Sequence, residues 1–276
     1  MILALITLVN VTPITFATRS SSTTPSPRTG PALYSGINLA WNYVKRTCRL
    51  TMDEYVATIL AKWRHATPLK RVLSPYKHTE INYGAKVQYA TDSPTSPPLD
   101  AAGVLRVQSI VSALRFYACV IENKLLVALS GISSQQAAAT EDTAAAIDQI
   151  LNHFANYSND RITYRAGSMI LAAHADAGYL NVSKARSRAG AHIMLSEDDP
   201  VPGINSPVLT IAQIIKFLMS SAAEAELAGL FIYDKDMVPM RQSLTKMGWP
   251  QPKSPVQTDN STAAGLVNKT IVTKNL

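Results

Sequence analysis

Cysteine is nearly absent: the chain of 276 residues carries two, Cys48 and Cys119. They lie far apart and without the close pairs of a zinc site, which excludes a disulfide framework and a structural zinc and leaves two reduced, structural thiols. Long apolar runs are scarce too. The opening stretch "MILALITLVNVTPITFA" falls short of the roughly 20 apolar residues that span a bilayer. Pro13 interrupts it, and it lacks the basic n-region of a signal peptide. No membrane attachment is expected, and the location reads as cytoplasmic or nuclear rather than secreted. The Asn-x-Ser/Thr triplets at Asn10, Asn156, Asn181, Asn260 and Asn268 are short patterns of the kind that arise by chance. Acidic residues are in the minority. Nineteen Asp and Glu against 26 Lys and Arg leave a formal charge of +7, which suits a polyanionic partner and equally a plain basic surface. Trp41, Trp63 and Trp249 show no spacing for base stacking and read as packing residues.

What is present divides the chain into four. Residues 1–32 combine the apolar start with "TRSSSTTPSPRTGPA", a Ser/Thr/Pro-rich stretch that reads as disordered. Between 33 and 100, "LYSGINLAWNY" and "RTCRLTM" predict a strand pair turning around Val44 to Arg46. A helix follows in "MDEYVATILAKWRH", with Thr51 or Asp53 available as its cap. Ala66 to Asp100, with five prolines, reads as an extended connection. From 101 to 160, "GVLRVQSIVSALRFYACVIENKLLVALSGISSQ" and "TEDTAAAIDQILNHFANYS" repeat apolar residues at three and four, which predicts a helical subdomain; Thr140 with Thr143 starts its second helix.

From 161 to 276 the period changes. "ITYRAGSMILAAHADAGYL", "RAGAHIMLS" and "PVLTIAQII" read as three strands. A long helix from about Ser220 to Met247 ends at Gly248 and Pro250, and "SPVQTDNSTAAGLVN" supplies a further strand and helix. Three strands, helix, strand, helix is the order of an α/β domain with a mixed sheet.

Three pieces of this domain carry chemistry: "HADAGY" at a strand end, "SSAAEAELAGLF" opening a helix, and "QTDNSTA" at the end of another strand. Two-metal hydrolysis of a phosphodiester needs carboxylates that converge on one spot, from oxygen ligands of the kind Mg²⁺ prefers. Asp176, Glu226 and Asp259 sit where they could meet at one sheet edge. Glu224 and Glu226, two apart on a helix, face different ways. Ser221 to Glu224 has the form of a capping box, which makes Glu224 structural and leaves Glu226 pointing elsewhere around the helix. His174 shares the strand face of Asp176 and reads first as a packing or edge histidine. Lys184, Arg186 and Arg188 alternate along a probable strand and are candidates to face a phosphate backbone, as well as a solvated strand face.

In this order, the three pieces resemble the ribonuclease H domain of copia-type (Ty1/copia) retrotransposon polyproteins. "YSGINLAWNYVKRTCRLTMDEYVATIL" resembles the end of that family's reverse-transcriptase palm, "SPYKHTEINYGAKVQYA" and "TDSPTSPPLD" its connection, and "VQSIVSALRFYACV" with "LLVALSGISSQQAAAT" its thumb and connection helices. The likeness covers roughly residues 33 to 268. It implies a ribonuclease H-like mixed sheet with flanking helices, preceded by a small helical subdomain. It also implies Mg²⁺ or Mn²⁺ on Asp176, Glu226 and Asp259, with Glu224 in place of Glu226 as the alternative, Asn260 beside Asp259 positioning substrate or backbone, and an RNA–DNA hybrid whose RNA strand is hydrolysed. Two departures accompany the resemblance. Residues 1–32 supply no Tyr-x-Asp-Asp hairpin, and the adjacent Asp198 and Asp199 sit in "SEDDP", so no polymerase site is expected. No Asp or Glu follows Asp259, where the family brings a fourth carboxylate. A truncated, catalytically inactive relic or nucleic-acid-binding module is therefore the alternative.

Overall fold

The computed structural model describes residues 32–77 and 96–270. The expected disordered start, residues 78–95 of the connection and residues 271–276 lie outside them. Among the described residues, six α-helices and two four-stranded sheets make a mixed α/β architecture. The first sheet begins with β1 (Ala32–Tyr34), β2 (Ile37–Asn42) and β3 (Thr47–Thr51), followed by helix α1 (Tyr55–Lys62). The single strand read in "LYSGINLAWNY" is in fact two. Ser35 and Gly36 both take left-handed φ, 50° and 79°, the two-residue reversal of a tight hairpin. Neither proposed cap of α1 serves. Thr51 belongs to β3, Asp53 accepts the Asn38 side-chain amide at 3.0 Å, and the cap position falls to Glu54, with no side-chain bond.

The helical unit comprises α2 (Ala101–Val120), α3 (Leu125–Ser133) and α4 (Glu141–Asn156). What the apolar spacing joined into one pattern breaks between α2 and α3. There the Glu122 amide bonds Tyr117 O, and the Asn123 side chain takes the Ala118 carbonyl at 2.9 Å that a continuing helix would have used. Thr140 and Thr143 start α4 as the sequence suggests, the Thr140 amide donating to Thr143 Oγ1 at 3.1 Å. Residues 66–77 form no helix or strand and lie along α4. Gln149 donates to Ser74 O, Asn156 accepts the Val72 amide, and His153 bonds Val72 O. These three side chains recur at four and three, so one stripe of α4 holds the segment.

"ITYRAGSMILAAHADAGYL" also divides, because Met169 turns the chain with φ of 62°. Its first part, β4 (Ile162–Arg165), pairs antiparallel with β3 and completes the first sheet, so that sheet draws on residues from both sides of position 160. The second sheet has the order β7 (Pro207–Ile214), β6 (Arg186–Ser196), β5 (Ile170–Val182), β8 (Val256–Gln257). β5, β6 and β7 are antiparallel and β8 runs parallel to β5. β4 stitches the two sheets together. Tyr164 Oη donates to Pro207 O at 2.7 Å, Ser206 Oγ to Thr163 O at 2.7 Å, and Asn205 bonds both the amide and the carbonyl of Arg165.

Helix α5 (Ala222–Lys246) connects β7 to β8, and α6 (Ser261–Val267) follows. Its end matches the expected stop: Gly248 takes φ of 90° and the Trp249 amide returns to Leu244 O at 3.0 Å, a Schellman closure. Leu171, Ala173, Ala175, Ala189, Ala191 and Ile193 of the sheet share one buried core with Tyr233, Met237 and Leu244 of α5. The same core continues through Tyr117 and Phe154 of the helical unit and Leu39 and Leu50 of the first sheet.

Candidate metal centre

The pairing register decides where the two aspartates meet. His174 of β5 lies beside Gln257 of β8 in parallel register, so one further step of two residues along each strand brings Asp176 and Asp259 to the same side of the sheet. Beyond Gln257 β8 ends, and the two chains are no longer bonded to each other. The Ala173 amide donates to Pro255 O on the β8 side of β5; amides alternate sides along a strand, so that of Ala177 points into the same gap. There Glu226 arrives from the second turn of α5. Its Oε1 accepts the Ala177 amide at 3.1 Å and its Oε2 faces Thr258 Oγ1 at 3.5 Å.

Carboxylate oxygens of Asp176, Glu226 and Asp259 all lie within 4.8 Å of one another. Asp176 and Asp259 are exposed, whereas Glu226 is 5% exposed. Burial holds the Glu226 carboxyl above its usual range, and the charges of Asp176 and Asp259 push it the same way, while the Ala177 amide acts against both. None of the ion pairs among the described residues involves these three groups. Three carboxylates facing one another, with no ion pair to any of them among the described residues, could hold a metal ion.

Glu224 is placed elsewhere. Ser221 Oγ accepts the Glu224 amide at 3.1 Å, as a cap should. The returning bond differs from a strict capping box, because Glu224 Oε2 takes the amide and hydroxyl of Ser220, one residue before the cap. Those bonds hold its carboxyl below the usual range. Asn260 also has a structural task, its Oδ1 accepting the Ala263 amide at 2.9 Å as the N-cap of α6.

The basic run does not alternate along one strand. Lys184 sits in the β5–β6 turn with φ of 63°, and β6 starts only at Arg186. Arg186 Nε donates to Ser183 O at 3.1 Å. Arg186 pairs with Val182 at the end of the β5–β6 ladder, and Arg188 lies opposite Gly178 and Ile214, with a buried Nη1 that has no hydrogen-bond partner. Burial lowers its pKa. His174 stays outside the carboxylate group: it pairs across the sheet with His192, and its Nε2 is buried without a partner. Burial, then the neighbouring His192, lowers the His174 pKa.

Two residues that sequence reasoning passed over support the centre. Tyr233, 1% exposed, donates from Oη to Asp176 O at 2.7 Å and so ties α5 to the strand that carries the first aspartate. Its position seven residues after Glu226, two turns along the same helix face, was the available signal. Thr258 adjoins Asp259 and touches Glu226, a contact visible only once β8 is placed. No family model, curated protein or solved structure matches the chain.

Proposed function

We propose that the chain is a ribonuclease H-type hydrolase, acting with Mg²⁺ or Mn²⁺ on the RNA strand of RNA–DNA hybrids and derived from a copia-type retrotransposon polyprotein. The observation that carries this reading is the convergence of Asp176, Glu226 and Asp259 from a strand, a helix and a second strand end into one group within 4.8 Å. A sheet of three antiparallel strands with a parallel fourth, in the order β7-β6-β5-β8, supports a ribonuclease H-like fold around it.

The three carboxylates would hold the ion. A divalent cation bound there supplies Lewis-acid activation of water and neutralises charge that develops on the scissile phosphate. The chain's own contribution is placement. The Ala177 amide fixes Glu226, Tyr233 fixes the Asp176 backbone, and the diverging ends of β5 and β8 leave both aspartates open to a ligand. The surplus of basic residues elsewhere lowers the cost of approach by a polyanion. Recognition of a hybrid in this class rests on helix shape and the 2′-OH rather than base sequence.

The test is cleavage of an end-labelled RNA–DNA hybrid by the purified chain with Mg²⁺ or Mn²⁺, beside Asp176→Asn. Cation-dependent cutting of the RNA strand, lost in the variant, is the expected result. A second reading is favoured by the carboxylate count, three among the described residues: a non-catalytic nucleic-acid-binding module. Folded protein that binds hybrid without cutting it would establish that reading instead.

A further inference from the structure

Gly190 lies in the middle of β6, the strand between β5 and β7, directly opposite Asp176 and beside Ala212 of β7. A glycine inside a strand weakens it and calls for a reason. The usual reasons do not apply here. Gly190 is not among the positive-φ glycines, which among the described residues are Gly36 and Gly248. Nor does packing demand it: a Cβ at this position would meet Asp176 O at 3.7 Å and Ile211 O at 4.0 Å, ordinary contact with backbone and nothing else. Other glycines of the same domain differ. At Gly178 a Cβ would collide with the Asn181 side chain at 1.8 Å, and at Gly229 it would press on Tyr233 Oη at 2.8 Å.

Gly190 would therefore accept a Cβ without a clash, and it adjoins the carboxylates. Direct cross-strand partners project to the same side of a sheet, so the missing side chain leaves bare backbone next to the Asp176 carboxylate. Ala212 extends this low floor onto β7. At one end of the floor, two residues before Gly190, stands Arg188 with its unpartnered Nη1. At the other end stand His192 and Thr210, paired with each other across β6 and β7.

We infer that Gly190 is bare in order to admit the sugar–phosphate backbone of the strand being cut, which lies across β6 beside Asp176 with Arg188 at its flank. The inference rests on the hydrolase reading and deepens it by naming where the substrate backbone runs. A Cβ at 190 meets only ordinary contacts, and valine or leucine there favours a strand while covering the floor.

The test is a graded series, Gly190→Ala, Gly190→Val and Gly190→Leu, measured for thermal unfolding, hybrid binding by fluorescence anisotropy and RNA cleavage. Unfolding temperatures equal to or above wild type are expected. Hybrid affinity and kcat/KM should fall with side-chain size, by about threefold for alanine and about a hundredfold for leucine. Arg188→Gln should weaken binding by about tenfold and reduce its salt dependence. Wild-type cleavage with an unaffected, folded Gly190→Leu would overturn this inference and leave the hydrolase reading standing. Failure of the wild type to bind hybrid at all would overturn both. Should leucine unfold the chain, Gly190→Ala decides, because its single methyl meets only ordinary contacts.

Discussion

Glu226→Gln is expected to stabilise the cation-free protein while lowering RNA cleavage by about a thousandfold or more. The two effects have one cause. Glu226 is buried, and its ionised form faces two further carboxylates with no cation among the described residues to offset them. Glutamine keeps the shape and keeps an oxygen for the Ala177 amide, so the repulsion goes and the contact stays. A gain of about 1 kcal/mol in a chain of this size raises Tm by about 2–4 °C. Loss of one member of a group that acts as a unit removes most of the catalysis rather than a share.

The pH dependence gives this prediction a second readout. The folded-state pKa of Glu226 lies above its ordinary value of 4.5, so through the window that starts there the folded chain holds a proton that the unfolded chain has released. Stability from this group therefore falls as pH rises across the window. The Tm difference between Glu226→Gln and wild type should be small near about pH 4 and widen toward neutrality. Glu224→Gln is the contrast: an exposed glutamate bonded to Ser220, whose replacement should leave cleavage within about twofold of wild type. A Glu226→Gln chain that cuts hybrid as wild type does would remove Glu226 from the site.

The largest stability loss is expected at Tyr164. Its ring is 2% exposed in β4, between the first sheet and the strands that carry the site, and its hydroxyl donates to Pro207 O at 2.7 Å. Tyr164→Ala removes a buried aromatic ring and should cost about 3–5 kcal/mol. Tyr164→Phe keeps the ring and loses only the hydrogen bond, about 1 kcal/mol. Urea unfolding of both variants separates packing from polarity. Equal, small losses in the two would mean that β4 does not join the sheets through this ring.

The elements most readable in the sequence are those whose signal is local. The apolar stripe of α4, its Thr140–Thr143 start, and the Gly248 stop of α5 are each written within a few residues. The order β5, β6, β7, α5, β8, α6 follows from the change of period after residue 160. What was illegible depends on partners distant in sequence. Nothing around Ile162 indicates that it pairs with Leu50 rather than continuing into β5. The break between α2 and α3 is marked by the Glu122 amide bond to Tyr117 O and the Asn123 side-chain bond to Ala118 O, which apolar spacing does not register.

The candidate site divides in the same way. That Glu224 and Glu226 have different surroundings follows from two residues of helix, and the structure places Glu224 at the cap and Glu226 in the gap between β5 and β8. The meeting of Asp176 with Asp259 is a matter of register, which no single motif contains. The alternation of Lys184, Arg186 and Arg188 misled because a turn, not a strand, occupies residue 184. Asn260, a substrate candidate because it neighbours Asp259, also caps α6 through its side chain, a role that its spacing to Asp259 does not signal.

Whether the three carboxylates form one cation site is tested most directly by titrating Mn²⁺ into the purified chain and counting bound ion by electron paramagnetic resonance, for wild type, Asp176→Asn and Asp259→Asn. Saturable binding to the wild type, displaced by Mg²⁺ and weakened by about tenfold or more in each variant, is the expected result. Absence of binding to the folded wild type, or binding that both variants retain unchanged, would contradict a metal centre built from Asp176, Glu226 and Asp259.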